Sequence, residues 1–194
     1  MFSMATKVTL LTKNSGKLKA AKSVFEPYSI VLEATDFEFP EIQADSSLEI
    51  AKHTAISAAK ALNKPVIRED HSLFLNALGA PGPYMNFFEK RISAEDLLKI
   101  LSSFKDRTGY FEIATVYAEP SGFTKELVMR VNMYIKDTVV KDGEGWSGIM
   151  CLEGETRAFS EYPDEERLSV WNKNYQEIAT FLSSRISRIQ CRYL

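Results

Sequence analysis

The chain predicts an α/β fold built on a mixed sheet, and three observations carry that expectation. Up to Ile67, apolar strand-like runs alternate with helical periodicity in the order β-α-β-α-β, the pattern of a partly parallel sheet. Two long alternating runs, Tyr110–Ala118 and Glu126–Lys136, flank Glu119-Pro120-Ser121-Gly122 as hairpin arms flank a turn. From about Leu168 to Ile189 the chain closes on a helical tail.

Each element has a local cause. Lys7 to Thr12 is an apolar first strand. Ser15 is suited to cap a helix to about Phe25, with Leu18, Ala21, Val24 and Phe25 at helical spacing. Pro27 stops it, and Ser29–Ala34 forms a second strand. Asp36 to Ser46 is acidic, contains Pro40 and reads as a loop. Ser46 or Ser47 then caps a helix to about Leu62, with Leu48, Ala51, Ala55, Ala58 and Leu62 on one face. Asn63-Lys64-Pro65 ends that helix before a third strand at Val66-Ile67. Two short helices are expected near Tyr84–Lys90 and Ala94–Phe104, and a Gly-rich loop over Lys141–Gly148. Val170, Tyr175, Ile178, Ala179 and Leu182 supply a packing face for the tail.

Composition narrows the classes. The 194 residues read as a single domain, 1–194, large enough to bury a core without disulfides. The 24 basic and 26 acidic residues leave a net charge of −2, which gives no footprint for nucleic acid or an anionic membrane. Cys151 and Cys191 are too few and too far apart for a disulfide framework, so a reduced, cytoplasmic setting is expected. No run of 18 apolar residues occurs, and the start lacks a signal-peptide core, so a soluble protein is expected.

Two stretches carry chemistry. Arg68-Glu69-Asp70-His71 places adjacent carboxylates at the expected end of the third strand, ahead of a Gly- and Pro-rich turn. Adjacent strand residues point to opposite faces, so only one acid readily serves a site. Asp70 suits a hard cation such as Mg²⁺, which takes carboxylate, phosphate and water oxygens, and an exposed acid pair at a strand end is the equally open reading. Glu41, in Phe39-Pro40-Glu41-Ile42-Gln43, is a candidate second carboxylate, although a solvated loop acid is the plainer reading. His71 is either a base or substrate contact, or a structural hydrogen bonder. The second stretch is Thr12-Lys13-Asn14-Ser15-Gly16-Lys17, where a strand runs into a helix. Helix N-terminal amides and the Lys17 ammonium suit phosphate oxygens, although no P-loop pattern is present and a capped helix with a surface lysine is the plainer reading. Trp146 and Trp171 are each either a stacking surface for a base or a packed aromatic.

Four segments in order resemble the inosine triphosphate pyrophosphatase, or Ham1-like, family. They are Thr12-x-Asn14-x-x-Lys17-Leu18, Pro40-Glu41-Ile42-Gln43, Glu69-Asp70, and Asn76-Ala77-Leu78-Gly79-x-Pro81-Gly82-Pro83-Tyr84 followed by Phe88-Glu89-Lys90. The resemblance implies an elongated mixed β-sheet with flanking helices, two lobes around a central cleft, and a homodimer. It implies Mg²⁺-dependent cleavage of a nucleoside triphosphate, a noncanonical purine nucleotide in this family, to the monophosphate and pyrophosphate. By position, Thr12, Asn14 and Lys17 would contact phosphates, and Glu41 and Asp70 would hold the metal. Asp70 would also orient or activate the attacking water. Lys52 and Lys90 match substrate-binding lysines of the eukaryotic branch.

The C-terminal third departs from the family pattern. The family's Gly-Phe-Gly-Tyr/Trp-Asp-Pro appears as Gly143-Glu144-Gly145-Trp146-Ser147-Gly148, so the stacking Phe is Glu144. Its Glu-Lys-x-x-x-Ser-His-Arg appears as Glu166-Arg167-Leu168-Ser169-Val170-Trp171-Asn172-Lys173. Arg167 and Lys173 keep cations there. Two functions are therefore open at this point. One is an active pyrophosphatase, with its base preference retained or altered. The other is a nucleotide-binding or interaction protein with weak catalysis on the same fold.

Overall fold

The structure is a computed structural model and describes residues 6–35, 37–140 and 145–190. β1 (Thr6–Leu11) leads into α1 (Ser15–Phe25), a 3₁₀ turn at Glu26–Tyr28 and β2 (Ile30–Thr35). α2 (Ser47–Leu62) precedes β3 (Val66–Leu75), β4 (Ala80–Gly82), α3 (Met85–Glu89) and α4 (Ala94–Leu101). The hairpin is β5 (Thr108–Ala118) and β6 (Thr124–Ile135). A 3₁₀ turn at Gly145–Gly148, β7 (Met150–Leu152), a 3₁₀ turn at Phe159–Glu161, α5 (Asp164–Trp171) and α6 (Lys173–Gln190) follow.

One mixed sheet joins these strands in the order β2-β1-β3-β5-β6-β7, with β4 on the side of β3. β2, β1 and β3 pair in parallel, and β3, β5, β6 and β7 pair antiparallel. α1 and α6 cover one face near β1, burying Val8, Leu10, Phe25, Tyr175 and Ile178 together. α2 covers the opposite face, laying Ala51, Ala55, Ala58 and Ala59 against Leu11, Val66, Ala114 and Val116. Small alanines let that helix sit close to the sheet. A third cluster gathers Leu73, Leu75, Phe111, Ile113, Met133 and Trp146 with α4 at the far end of β3.

The first crossover helix and the second lie on opposite faces, so the strand order reverses at β1. Crevices form at the C-terminal ends of strands at such a reversal. Here β1 pairs with β3 only from Thr9 to Leu11, opposite Val66 to Arg68, and then leaves the sheet. Past that point the β1 side of β3 is open at Glu69, Asp70 and His71.

Several expectations change. β3 does not end at its acids. It runs on to Leu75 because β5 pairs with it over its whole length, so Glu69 and Asp70 sit mid-strand opposite Thr115 and Ala114. The cap of α1 is Asn14, not Ser15: its Oδ1 accepts from Lys17 N at 3.1 Å. The tail is two helices broken at Asn172 rather than one. The Gly-rich loop contains a 3₁₀ turn at Gly145–Gly148, while Gly143 and Glu144 lie outside the described residues, as does Cys191.

Candidate active site

Two cavities meet at Asn14, which lines both. The first, about 530 Å³, is lined by Thr12, Asn14, Glu41 and Arg68 among others. The second, about 590 Å³, is lined by Lys17, Glu69, His71, Arg167, Trp171 and Tyr175 among others. The loop from β1 to the first turn of α1 forms the partition. There Thr12 Oγ1 accepts from Asn14 N at 3.1 Å, and Asn14 in turn caps the helix. The rim of both cavities is thus a helix N-terminus, where unpaired amides and the helix dipole favour anions.

β3 presents different chemistry to its two sides, as its period of two requires. On the α1–α6 side, Glu69 is 2% exposed and fully engaged. His71 donates from Nε2 to Glu69 Oε1 at 2.7 Å, and Thr115 Oγ1 donates to Oε2 at 3.1 Å. Lys17 Nζ lies 3.8 Å from Oε1 and donates to the Glu69 backbone carbonyl at 3.1 Å. Burial alone would raise the Glu69 pKa, but His71, Lys17 and Thr115 together hold it below the ordinary value. Burial and the Lys17 charge keep the His71 pKa low, which favours the neutral ring. Burial also lowers the Lys17 pKa, against the pull of Glu69 and Asp70. The Tyr175 hydroxyl is pushed well above the usual phenol range by burial and by Glu69.

On the α2 side, Arg68 and Asp70 share a face. Asp70 is largely buried, and its Oδ2 has no hydrogen-bond partner. Burial raises its pKa, only partly offset by Lys17, Arg68 and the Ser47 hydroxyl. A buried carboxylate oxygen left without a donor is costly in a folded chain and has capacity for a ligand. Arg68 Nη2 pairs with Glu41, and its Nη1 donates to Leu11 O at 3.3 Å.

The residues singled out in the sequence divide accordingly. Thr12, Asn14, Lys17, Glu41, His71 and Arg167 line the two adjoining cavities. Asp70 acts electrostatically on Lys17, as do Glu69 and Glu41. Lys90 lines a neighbouring depression that shares Arg167 and Phe159 with the second cavity. Lys52 is instead paired with Glu126 on β6 at 2.9 Å. Lys173 lines a separate hollow with Arg130 and Glu153, because it starts α6 just beyond the break at Asn172.

Trp146 is not a stacking surface. It is 1% exposed, its Nε1 donates to Ile92 O at 2.8 Å, and its backbone N donates to Glu89 Oε1 at 2.8 Å. Gly145 precedes it at φ +55°, a left-handed conformation that L side chains rarely adopt. Trp171 is the tryptophan that lines the second cavity. Its ring lies 5.6 Å from the His71 ring at 32°, braced edge-on by Phe111 and Phe159.

Arg68, Tyr175 and Thr115 were not singled out as site residues in the sequence. The period of β3 was the available signal for Arg68, since it puts residues 68 and 70 on one face. No local signal marks Tyr175 or Thr115, which arrive from α6 and β5.

Mg²⁺ chemistry can be tested against these donors. Among the described residues, no group of three or more His, Cys, Asp or Glu side chains is placed to hold a metal. Mg²⁺ does not need such a cage, since it commonly takes one or two carboxylates and completes its shell with phosphate and water. The orphaned Asp70 Oδ2 fits that role. Glu41 fits it only once it leaves Arg68.

A family model described as the Ham1 family matches residues 8–178. The chain is 37% identical over 169 residues to the dITP/XTP pyrophosphatase of Methanopyrus kandleri, covering 84% of this chain and 88% of that one. It is 33% identical over 188 residues to the dITP/XTP pyrophosphatase of Saccharolobus solfataricus, covering 95% and 97%. Among solved structures, the Ham1 protein of Staphylococcus aureus matches with a TM-score of 0.75 at 25% identity, covering 92% of this chain and 99% of that one.

Proposed function

The chain belongs to the Ham1 family, and from that premise we propose that it is a nucleoside triphosphate pyrophosphatase. It cleaves a noncanonical purine nucleoside triphosphate with water, giving the monophosphate and pyrophosphate. The observation that carries this reading is Asp70: largely buried, raised in pKa, with an unpartnered Oδ2, and close enough to Lys17 of the anion-binding rim to act on its charge, although it lines neither cavity itself.

The roles follow from the chemistry. The α1 N-terminus, Thr12, Asn14 and Lys17 hold the phosphates. Lys17 stays close to Glu69, so its ammonium is oriented before substrate arrives. The Asp70 carboxylate orients the attacking water, and its oxygen not committed to the metal accepts the proton. The new P–O bond forms as the P–O–P bridge to the leaving pyrophosphate breaks. Asp70, and Glu41 after release from Arg68, are the residues that would hold Mg²⁺, which when bound neutralises developing phosphate charge. The base lies toward Arg167, His71 and Trp171 in the second cavity.

The same reading includes a homodimer, a single domain over 1–194 and a cytoplasmic location. Exposed Tyr84, Phe87 and Phe88 beside and within α3 supply apolar surface for self-association. No helix among the described residues is long and apolar enough to cross a membrane. A catalytically weak nucleotide-binding protein is the second reading, favoured by one observation: Glu41 is already engaged by Arg68.

Pyrophosphate release with Mg²⁺ across inosine, xanthosine and common nucleoside triphosphates tests the proposal. Release selective for inosine and xanthosine nucleotides is expected. Tight triphosphate binding without release would establish the second reading instead.

A further inference from the structure

Arg68 occupies a position where an apolar β-branched residue would satisfy both strand propensity and burial. It pairs with Leu11 of β1 in register, and its side chain is 18% exposed. Its Nε is buried without a hydrogen-bond partner. Its two terminal nitrogens are spent on Leu11 O and on Glu41, whose side chain is 53% exposed. A half-buried guanidinium with an orphaned donor is locally unfavourable, and such local conflicts concentrate at functional sites.

The surroundings define the function. Arg68 lines the same cavity as Thr12, Asn14 and Glu41. It shares a face with Asp70 and acts electrostatically on it. Lys17 senses Arg68, Glu41 and Asp70 together, which places these four charges in one neighbourhood. A cation that neutralises Glu41 competes with any divalent cation for the same carboxylate. An ion pair with one exposed member is readily exchanged. A guanidinium released into this cavity has the planar donor fork that matches phosphate oxygens.

We propose that Arg68 is an exchangeable internal cation of the phosphate site. It holds Glu41 while the cavity is empty, yields it to a divalent cation, and then binds the polyphosphate of the substrate. This rests on the pyrophosphatase reading for the identity of the substrate, but the exchange at Glu41 is measurable without turnover. The consequence is coupling: metal and polyphosphate bind cooperatively because each removes Arg68 from, or rewards its removal from, Glu41.

The test uses the full chain and Arg68→Met, which keeps an unbranched stem and removes the charge. Circular dichroism and thermal melting first establish that both are folded, and Arg68→Lys serves in place of Arg68→Met if the latter is not. Mn²⁺ affinity is measured by electron paramagnetic resonance without nucleotide. Inorganic triphosphate affinity is measured by calorimetry with and without Mg²⁺. Arg68→Met should bind Mn²⁺ about tenfold more tightly. It should lose about tenfold in triphosphate affinity with Mg²⁺ present and little without it. Arg68→Lys should shift both in the same direction, by less.

Unchanged or weaker Mn²⁺ binding overturns the proposal. So does an equal triphosphate loss with and without Mg²⁺, which marks a fixed surface charge rather than an exchange. If the wild type releases no pyrophosphate yet shows the Mn²⁺ and triphosphate pattern, the enzymatic reading fails and the Arg68 exchange stands. If it releases pyrophosphate without that pattern, only the exchange fails.

Discussion

The two sides of β3 carry adjacent carboxylates in opposite conditions. Glu69 faces α1 and α6 and is saturated by His71, Thr115 and Lys17. Asp70 faces α2 and keeps one buried oxygen without a donor. A carboxylate with both oxygens hydrogen-bonded and a lysine beside it has less acceptor capacity left for water or metal. An unsatisfied one stores that capacity at a cost in stability. In the proposed mechanism, positioning falls to the Glu69 side and proton transfer to the Asp70 side.

The sharpest way to break this comparison is Asp70→Asn. Turnover should fall by about 10²- to 10⁴-fold, the range for loss of a general base. Stability at neutral pH should rise, because a desolvated charge is removed. The sign follows from the raised pKa: the native state binds the Asp70 proton more tightly than the unfolded chain, so this residue stabilises most below about pH 3.8. That contribution is lost as pH rises through the folded value. Steady-state kinetics and urea melts read the two effects; full activity in a folded Asp70→Asn protein removes the assignment.

Glu69→Gln should move stability in the opposite direction. It leaves the partly buried Lys17 without its nearest countercharge, at a cost of about 3 kcal/mol by urea unfolding. Here the folded pKa is depressed. The stabilising contribution is therefore present above about pH 4.5 and lost as pH falls through the folded value. Matching pH–stability slopes for wild type and Glu69→Gln between pH 3 and pH 5, as approximate bounds, would show that Glu69 is not the linked group.

The smallest effect is expected where only the base is held. Trp171→Ala should raise KM about tenfold with kcat nearly unchanged, as for loss of one aromatic–base stack. Trp146→Ala should instead lower stability by about 3–5 kcal/mol, as for any large core aromatic. A KM change confined to Trp146→Ala would reverse the assignment of the two tryptophans.

Much of this was legible in the chain. Helical and two-residue periodicities locate the first three strands and two helices to within a residue or two, except at the end of β3. The period of β3 alone separates Glu69 from Asp70. The Thr12–Lys17 stretch reads as an anion rim because its chemistry is local: a strand end, a cap and a lysine within six positions. The hairpin is equally local, with its turn in Glu119–Gly122. The Asn172 break was missed because apolar spacing continues across it. β4 and β7 were missed because three-residue strands carry too little pattern.

What the sequence determined by itself is therefore the order of the longer elements, the opposite facing of the two acids and the family motifs, all properties of neighbours along the chain. Tertiary structure alone decided which acid is saturated, which tryptophan is buried and which cation holds Glu41. Those outcomes depend on partners brought from far away: Thr115 and Tyr175 to Glu69, Ile92 to Trp146, and Arg68 to Glu41 across 27 positions. Hydrogen bonding and desolvation act over a few ångströms of space, and no periodicity in the chain encodes which distant atoms will fill that distance.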